Sequence, residues 1–243
     1  MNFFRNPNLP DRAVRGVIMS DKLPELCAQL RKNYGTEIIS PSPLRSVTGS
    51  ERFHADMCIS HTGGNHFVCD KDNTKLIGKL AGIDAYVEKC EGITAANPLL
   101  NACFLGDKVI CNIKKTSTQI LKKCHESNFR ILNVRQSYAR CSAAVVSSNA
   151  LITSDEGIYS LCKKEMIDCL LIPSGNIQLE GYDYGFIGGC CGLIDKDLLV
   201  FTGNIKKHPS YLDIKAFSKN FGVYIESLSD LNLYDIGGIL PIF

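Results

Sequence analysis

The sequence repeats itself, and its two ends are the complementary pieces of one further repeat. Four times the chain gives a short apolar strand, a tight polar turn, a second apolar strand, a helical pattern and a third strand rich in β-formers. The first unit runs from Met57-Cys58-Ile59 through the turn Gly63-Gly64-Asn65 to His66-Phe67-Val68-Cys69, a helix through Lys75 to Leu80, and Ala85-Tyr86-Val87. The second uses Ala102 to Leu105, the turn Gly106-Asp107-Lys108, Val109 to Cys111, a helix through Ile120 to Cys124, and Arg130 to Val134. The third uses Ala143 to Val146, Ala150 to Thr153, a helix opened by Ser154 or Asp155 as N-cap, and Cys169 to Ile172. The fourth uses Gly192 to Ile194, Leu198 to Phe201, a helix from Pro209 to about Asn220 closed by Gly222, and Val223 to Ile225.

A fifth unit is split between the termini. Ile239-Leu240-Pro241-Ile242 supplies only a first strand, while Gly16 to Met19, a helix from Pro24 to about Asn33, Gly35 and Glu37 to Ile39 supply the rest. The equivalent residues Ile59, Leu105, Val146, Ile194 and Leu240 recur at roughly 40 to 50 residues, a period expected of a propeller-like array. Joining the ends closes a ring and removes the sheet edges an open array leaves unpaired. An ordinary three-layer α/β domain also alternates strands and helices, but it gives no reason for complementary ends. The expectation is an α/β fold of five ββαβ units, residues 1–243 forming one domain.

Composition narrows the partners. A net charge of +2, with both signs interspersed, gives no electrostatic case for nucleic acid or for a membrane surface. No segment approaches the length and apolarity of a bilayer span or a signal peptide, so a cytoplasmic protein is expected. The twelve cysteines are spread from Cys27 to Cys191, most inside apolar runs, and read as free thiols behaving as small hydrophobes. No Cys-x-x-Cys occurs, and neither a metal nor another cofactor is expected. Nothing in the sequence fixes the oligomeric state.

Three segments, His54-Ala55-Asp56-Met57, Ser137 to Ser142, and Tyr182-Asp183-Tyr184-Gly185-Phe186-Ile187-Gly188-Gly189, make the chain resemble the pentein, or guanidino-group-modifying, superfamily. More narrowly, it is similar to an uncharacterised, mostly clostridial family with that fold. The resemblance spans nearly the whole chain and implies a pentein-type propeller with pseudo-fivefold symmetry. It also implies chemistry on a guanidino or amidine compound by a cysteine thiolate, as a hydrolase or a transferase. A non-catalytic branch of the superfamily, the ribosome anti-association factor, leaves open a binding protein for a small ligand or a protein partner.

On that resemblance, His54 and Asp56 match the His-x-Asp element of the deiminases. Gly188-Gly189 match the glycine-rich approach to the nucleophile, which makes Cys190 or Cys191 the expected nucleophile, His54 the general acid and base, and Asp56 the partner of a small cationic ligand. The superfamily's cysteine usually lies close to the C-terminus, whereas Cys190 and Cys191 precede a whole hairpin and helix, and no Glu-Gly-Gly element is present. Alignment of the units places His54, Asn101, Ser142 and Cys190 near the starts of first strands, which converge on the axis of a ring. Adjacent cysteines on a strand face opposite sides, so at most one of Cys190 and Cys191 can point to the axis, with Cys141 in reserve. Asn101, Cys141 and Ser142 are further candidates for the ligand site, and the loop Ser174 to Tyr184 is expected to cover it and to add Glu180 and Asp183. His61, His66 and His125 read as solvated surface, and His208 as the flank of a helix.

Overall fold

The computed structural model describes residues 1–243 and contains five three-stranded sheets. Four are continuous in sequence. Ile59–Gly63, His66–Asp70 and Tyr86–Cys90 form the first, Cys103–Leu105, Lys108–Cys111 and Arg130–Asn133 the second. Ala143–Ser147, Ala150–Thr153 and Asp168–Leu171 form the third, Cys191–Asp195, Leu198–Phe201 and Tyr224–Ser227 the fourth. In each, a tight turn makes the first two strands antiparallel, and a helical crossover makes the second and third parallel. The fifth sheet joins the ends: Leu240–Pro241 pairs antiparallel with Gly16–Ile18 (Ile18 opposite Leu240), and Gly16–Ile18 pairs parallel with Glu37–Ile39.

The ring closes because the middle strand of every unit is buried on both faces. Alternate residues of a strand point to opposite sides, and here each side packs on a different neighbour. Val109 joins the cluster shared by the first and second units, with Val68 and Ile120, whereas Ile110 joins Leu151 and Ile158 in the cluster shared by the second and third. Leu199 and Phe201 pack with Ile152, while Val200 between them packs with Val17 and Leu30. Ile18, next to Val17, completes the circuit by packing with Ile59 and Phe67. Five apolar clusters thus lie between five units, so no unit keeps a core of its own.

Local signals set the helix ends. Asp155 accepts the Ile158 N–H at 2.7 Å and Ser117 the Ile120 N–H at 3.2 Å, so both are true N-caps. Gly35, at φ 67°, closes Pro24–Tyr34 in the left-handed conformation that glycine adopts without strain. The fourth helix is Tyr211–Asn220 and starts two residues after Pro209: the Tyr211 N–H closes a separate turn on the His208 carbonyl.

Two histidines are buried where solvated surface was expected. The first hairpin extends to Gly63, which carries His61 into the sheet, where its ring stacks on Phe67 at 4.5 Å and its Nε2–H donates to the Gly64 carbonyl at 2.8 Å. His66 pairs with Glu88 at 2.9 Å. His125 is exposed, as its polar helix end suggests. All twelve cysteines are free, and all but Cys169 are buried. No helix is long and apolar enough to cross a membrane.

Candidate active site

Each first strand is entered through a tight turn, and these turns meet at one end of the ring. They are Ala55–Cys58, the bend at Asn101, Ala139–Ser142, Gly188–Cys190, and the segment Asp235 to Gly238. Hydrogen bonds, two of them backbone to backbone and the others made by the side chains of Arg140 and Asn101, link them around the axis. Asp56 N–H donates to Gly237 O, Gly238 N–H to Gly189 O at 2.8 Å, and Arg140 Nη1 to Gly188 O at 3.1 Å. Asn101 Oδ1 accepts the N–H groups of both Arg140 and Cys141, at 2.8 and 3.1 Å. Close approach demands glycine at two points: Gly237 has φ 76° and a Cβ there would run into His54, while a Cβ on Gly189 would run into the Asp235 carboxylate.

This collar floors a cavity of about 330 Å³. His54, Cys141 and Asp235 form its base, Glu51 and Asp183 add carboxylates, and Tyr138, Tyr182, Tyr184, Phe186 and Leu179 make the walls. The loop Ser174 to Tyr184 does cover it. The loop is pinned by the short pairing of Ile177–Gln178 with Leu233–Tyr234, by the Tyr182 hydroxyl on Glu51 Oε1 at 2.5 Å, and by Ser50 Oγ on the Glu180 carbonyl at 2.7 Å. Asp183 reaches the cavity, but the Glu180 carboxylate turns outward to Lys22 at 2.5 Å.

Cys141 Sγ is the thiol at the base. It donates to Asp56 Oδ2 at 2.7 Å and accepts from Asn101 Nδ2 at 3.4 Å. Burial, with the carboxylates of Asp56 and Asp235 beside it, pushes the thiol well above its ordinary range. Burial likewise lifts Asp56 to about 6, against the opposing pull of His54 and Arg140. His54 Nδ1 stands 3.6 Å from Asp235 Oδ1 and has no hydrogen-bond partner, although its side chain is only 5% exposed. Asp235 is wholly buried and fixed by the N–H groups of Phe186 at 2.8 Å and Gly237 at 3.0 Å.

Several expected site residues lie elsewhere. Cys190 and Cys191 are buried in the cluster between the third and fourth units, away from the cavity, and both thiols donate to the Ile187 carbonyl at 3.2 Å. The strand alternation expected of them fails because Cys190 belongs to the turn Gly188–Cys190 and only Cys191 to the strand. Asp56 lies behind Cys141 in a small crevice, so the carboxylates that face the cavity are Asp235, Glu51 and Asp183. Ser142 is fully buried outside the cavity, and Asn101 acts on it only by holding Cys141. Asp235 and Glu51 escaped the sequence reading. Asp235 precedes Leu240 by five residues, as His54 precedes the equivalent Ile59, so the repeat itself marks its position; Glu51, in the turn Ser50–Phe53, carries no such signal.

A family model described as a family of unknown function, DUF6873, matches residues 18–240. No curated protein matches the sequence. Among solved structures, DDAH from Pseudomonas aeruginosa, a mutant complexed with citrulline, aligns over 95% of this chain and 100% of its own at 12% identity and a TM-score of 0.60. Inosamine-phosphate amidinotransferase from Streptomyces griseus aligns over 91% and 90% at 10% identity and a TM-score of 0.55. The agmatine deiminase of C. jejuni aligns over 94% and 90% at 11% identity and a TM-score of 0.54. At such identities the likeness is one of fold, and the fold is the pentein propeller.

Proposed function

The chain belongs to the family of unknown function DUF6873, and from its pentein fold and its cavity we propose that it modifies a small guanidino or amidine cation through a covalent thiol intermediate, with Cys141 as the nucleophile. The observation that carries this reading is the position of Cys141: a thiol at the base of an acidic, aromatic-walled cavity, beside an imidazole and two buried carboxylates. The names of the structural neighbours, DDAH, amidinotransferase and agmatine deiminase, support the substrate class.

A planar cation entering the cavity meets Asp235, Asp183 and the unpaired Glu51 Oε2, with the rings of Tyr138 and Phe186 among the walls around it. Its charge offsets that of the carboxylates that hold the thiol protonated, so the thiolate forms when substrate is present. The proton passes to Asp56 Oδ2, which already accepts the thiol hydrogen bond. Sulfur attacks the amidine carbon and a C–S bond forms. His54 delivers a proton to the departing nitrogen as the C–N bond breaks. Water in a hydrolase, or an amine in a transferase, then attacks the same carbon and gives a proton to His54 as the C–S bond breaks, and Asp56 returns its proton to the sulfur, restoring the thiol.

One observation favours the second reading, a binding protein without chemistry: burial and the neighbouring carboxylates of Asp56 and Asp235 hold the thiol in its protonated form. Labelling separates the two. Chloroacetamidine, an amidine with a displaceable halide, should alkylate Cys141 in the wild type, as read by peptide mass spectrometry, and the C190S variant should label equally. A parallel screen with arginine, agmatine and methylated arginines should give a ureido or transferred-amidine product in C190S but none in C141S. Calorimetric binding of these cations without labelling or product would establish the binding reading, and absence of both binding and product would remove the guanidino reading altogether. Glu51→Gln should weaken cation binding by roughly 10- to 100-fold, the loss of one charged hydrogen bond.

A further inference from the structure

Three side chains of three chemical kinds meet at the base of the cavity, brought from positions 54, 141 and 235. One ligand atom of each, an imidazole nitrogen of His54, the Cys141 sulfur and an Asp235 carboxylate oxygen, all lie within 4.8 Å of one another. Bonds of about 2.0 to 2.3 Å to a tetrahedral metal set its ligand atoms roughly 3.3 to 3.8 Å apart. His54 Nδ1 and Asp235 Oδ1, at 3.6 Å, already keep that spacing, which is too long for a hydrogen bond. The three residues are 4%, 1% and 0% exposed, and the His54 Nδ1 facing Asp235 is without a partner. A buried nitrogen left unsatisfied is costly unless something else occupies the space it faces.

The surroundings are those of a supported ligand set. Asp56 and Asn101 hold the Cys141 sulfur, and the Phe186 N–H holds the second oxygen of Asp235. Such outer hydrogen bonds fix the direction in which ligands point. Three protein ligands with an open side on a cavity is the arrangement that leaves a fourth position to an exchangeable molecule. Nitrogen, sulfur and one carboxylate oxygen match a thiophilic cation and not magnesium or calcium.

We propose that His54, Cys141 and Asp235 form a binding site for a thiophilic divalent cation, zinc being the best chemical match, with its fourth position open to the cavity. Binding releases the thiol proton to solvent and leaves a metal-bound thiolate. The site stands on its own geometry. A regulatory consequence rests on the guanidino reading: the metal takes the same sulfur and imidazole, so zinc and substrate chemistry exclude one another and zinc is an inhibitor. Cysteine spacing gave no hint of such a site, because its ligands come from three separate units of the ring.

The test uses the full chain, reduced, freed of metal with a chelator and then cleared of it, with no guanidino compound present. Cobalt titration should saturate at one equivalent with a near-ultraviolet thiolate-to-cobalt charge-transfer band, and zinc should displace it. C141S should lose the band, and both C141S and H54Q should lose affinity by at least the roughly 10- to 100-fold that follows removal of a mere outer-shell partner. C190S should behave as wild type. A readout needing no variant keeps the proposal falsifiable if one of these fails to fold: zinc should protect Cys141 of the wild type from iodoacetamide. Cobalt binding without the charge-transfer band, binding that C141S and H54Q retain, or alkylation of Cys141 unaffected by zinc would each overturn the site. Amidine labelling performed with chelator present reports on the guanidino reading separately.

Discussion

At the residue scale, burial decides what each polar group does. His61 is held neutral: desolvation lowers its pKa from 6.5 to about 4, against hydrogen bonds that favour the charged form. The unfolded chain therefore binds a proton that the folded protein refuses between these two values, so the stability that neutral His61 permits is present above pH 6.5 and is lost as pH falls towards 4. At about 1.36 kcal/mol for each tenfold change in proton affinity, the loss is roughly 3 kcal/mol. His61→Gln keeps a donor for the Gly64 carbonyl but does not titrate. Urea unfolding of both proteins from pH 7.5 to pH 4 should show the wild type losing more stability than the variant by that amount. Parallel curves would mean that His61 is not the group responsible. The same contrast separates the cysteines: Cys141 meets carboxylates, an imidazole and open space, whereas Cys190 and Cys191 meet apolar side chains and one carbonyl.

At the scale of elements, the strand Leu240–Pro241 matters beyond its two residues. Ile239, Leu240, Ile242 and Phe243 are all buried, and Phe4 N–H donates to Ile242 O while Gly16 N–H donates to Phe243 O. Burying four such side chains contributes roughly 1.5 to 3 kcal/mol each, a sum comparable with the roughly 5 to 15 kcal/mol that keeps a domain folded. Deleting residues 239–243 should therefore abolish the cooperative thermal transition followed by circular dichroism. A truncated protein melting within a few degrees of the full chain would show that the fifth sheet is dispensable. Gly189→Ala is a finer probe, since its methyl group strikes the Asp235 carboxylate and leaves the strands intact. It should reduce cobalt uptake or amidine labelling much more than it reduces the melting temperature.

At the scale of the whole molecule, each apolar cluster belongs to two units, so the ring should unfold as one body with a single transition by all probes. The ends of the chain meet in one sheet, and the hairpin turn at Ser147 to Asn149, exposed at Ser148 and half-buried on either side of it, lies in the third unit. A circular permutant opened in that turn, with the old ends joined by a short Gly/Ser linker, should fold with the wild-type spectrum and still label at Cys141. Two separated transitions, or a permutant that does not fold, would contradict a ring closed by this pairing.

The architecture was legible in the sequence because it is written in short-range patterns. Unbroken apolar runs such as Val109-Ile110-Cys111 dictate a strand buried on both faces, Asp155 and Gly35 mark helix ends, and the half-units at the termini can satisfy their edges only by pairing with each other. Part of the site was legible too: His54 stood out, and the starts of the first strands were expected to converge. The tertiary structure alone decided which thiol faces the cavity, that Asp56 stands behind Cys141, and that Glu51 and Asp235 join the site. The reason is geometric. A turn of three or four residues before each strand sets the direction of every side chain at the axis, and whether a cysteine becomes core or reactant depends on which neighbours, from units about 40 to 90 residues away, its rotation brings within reach.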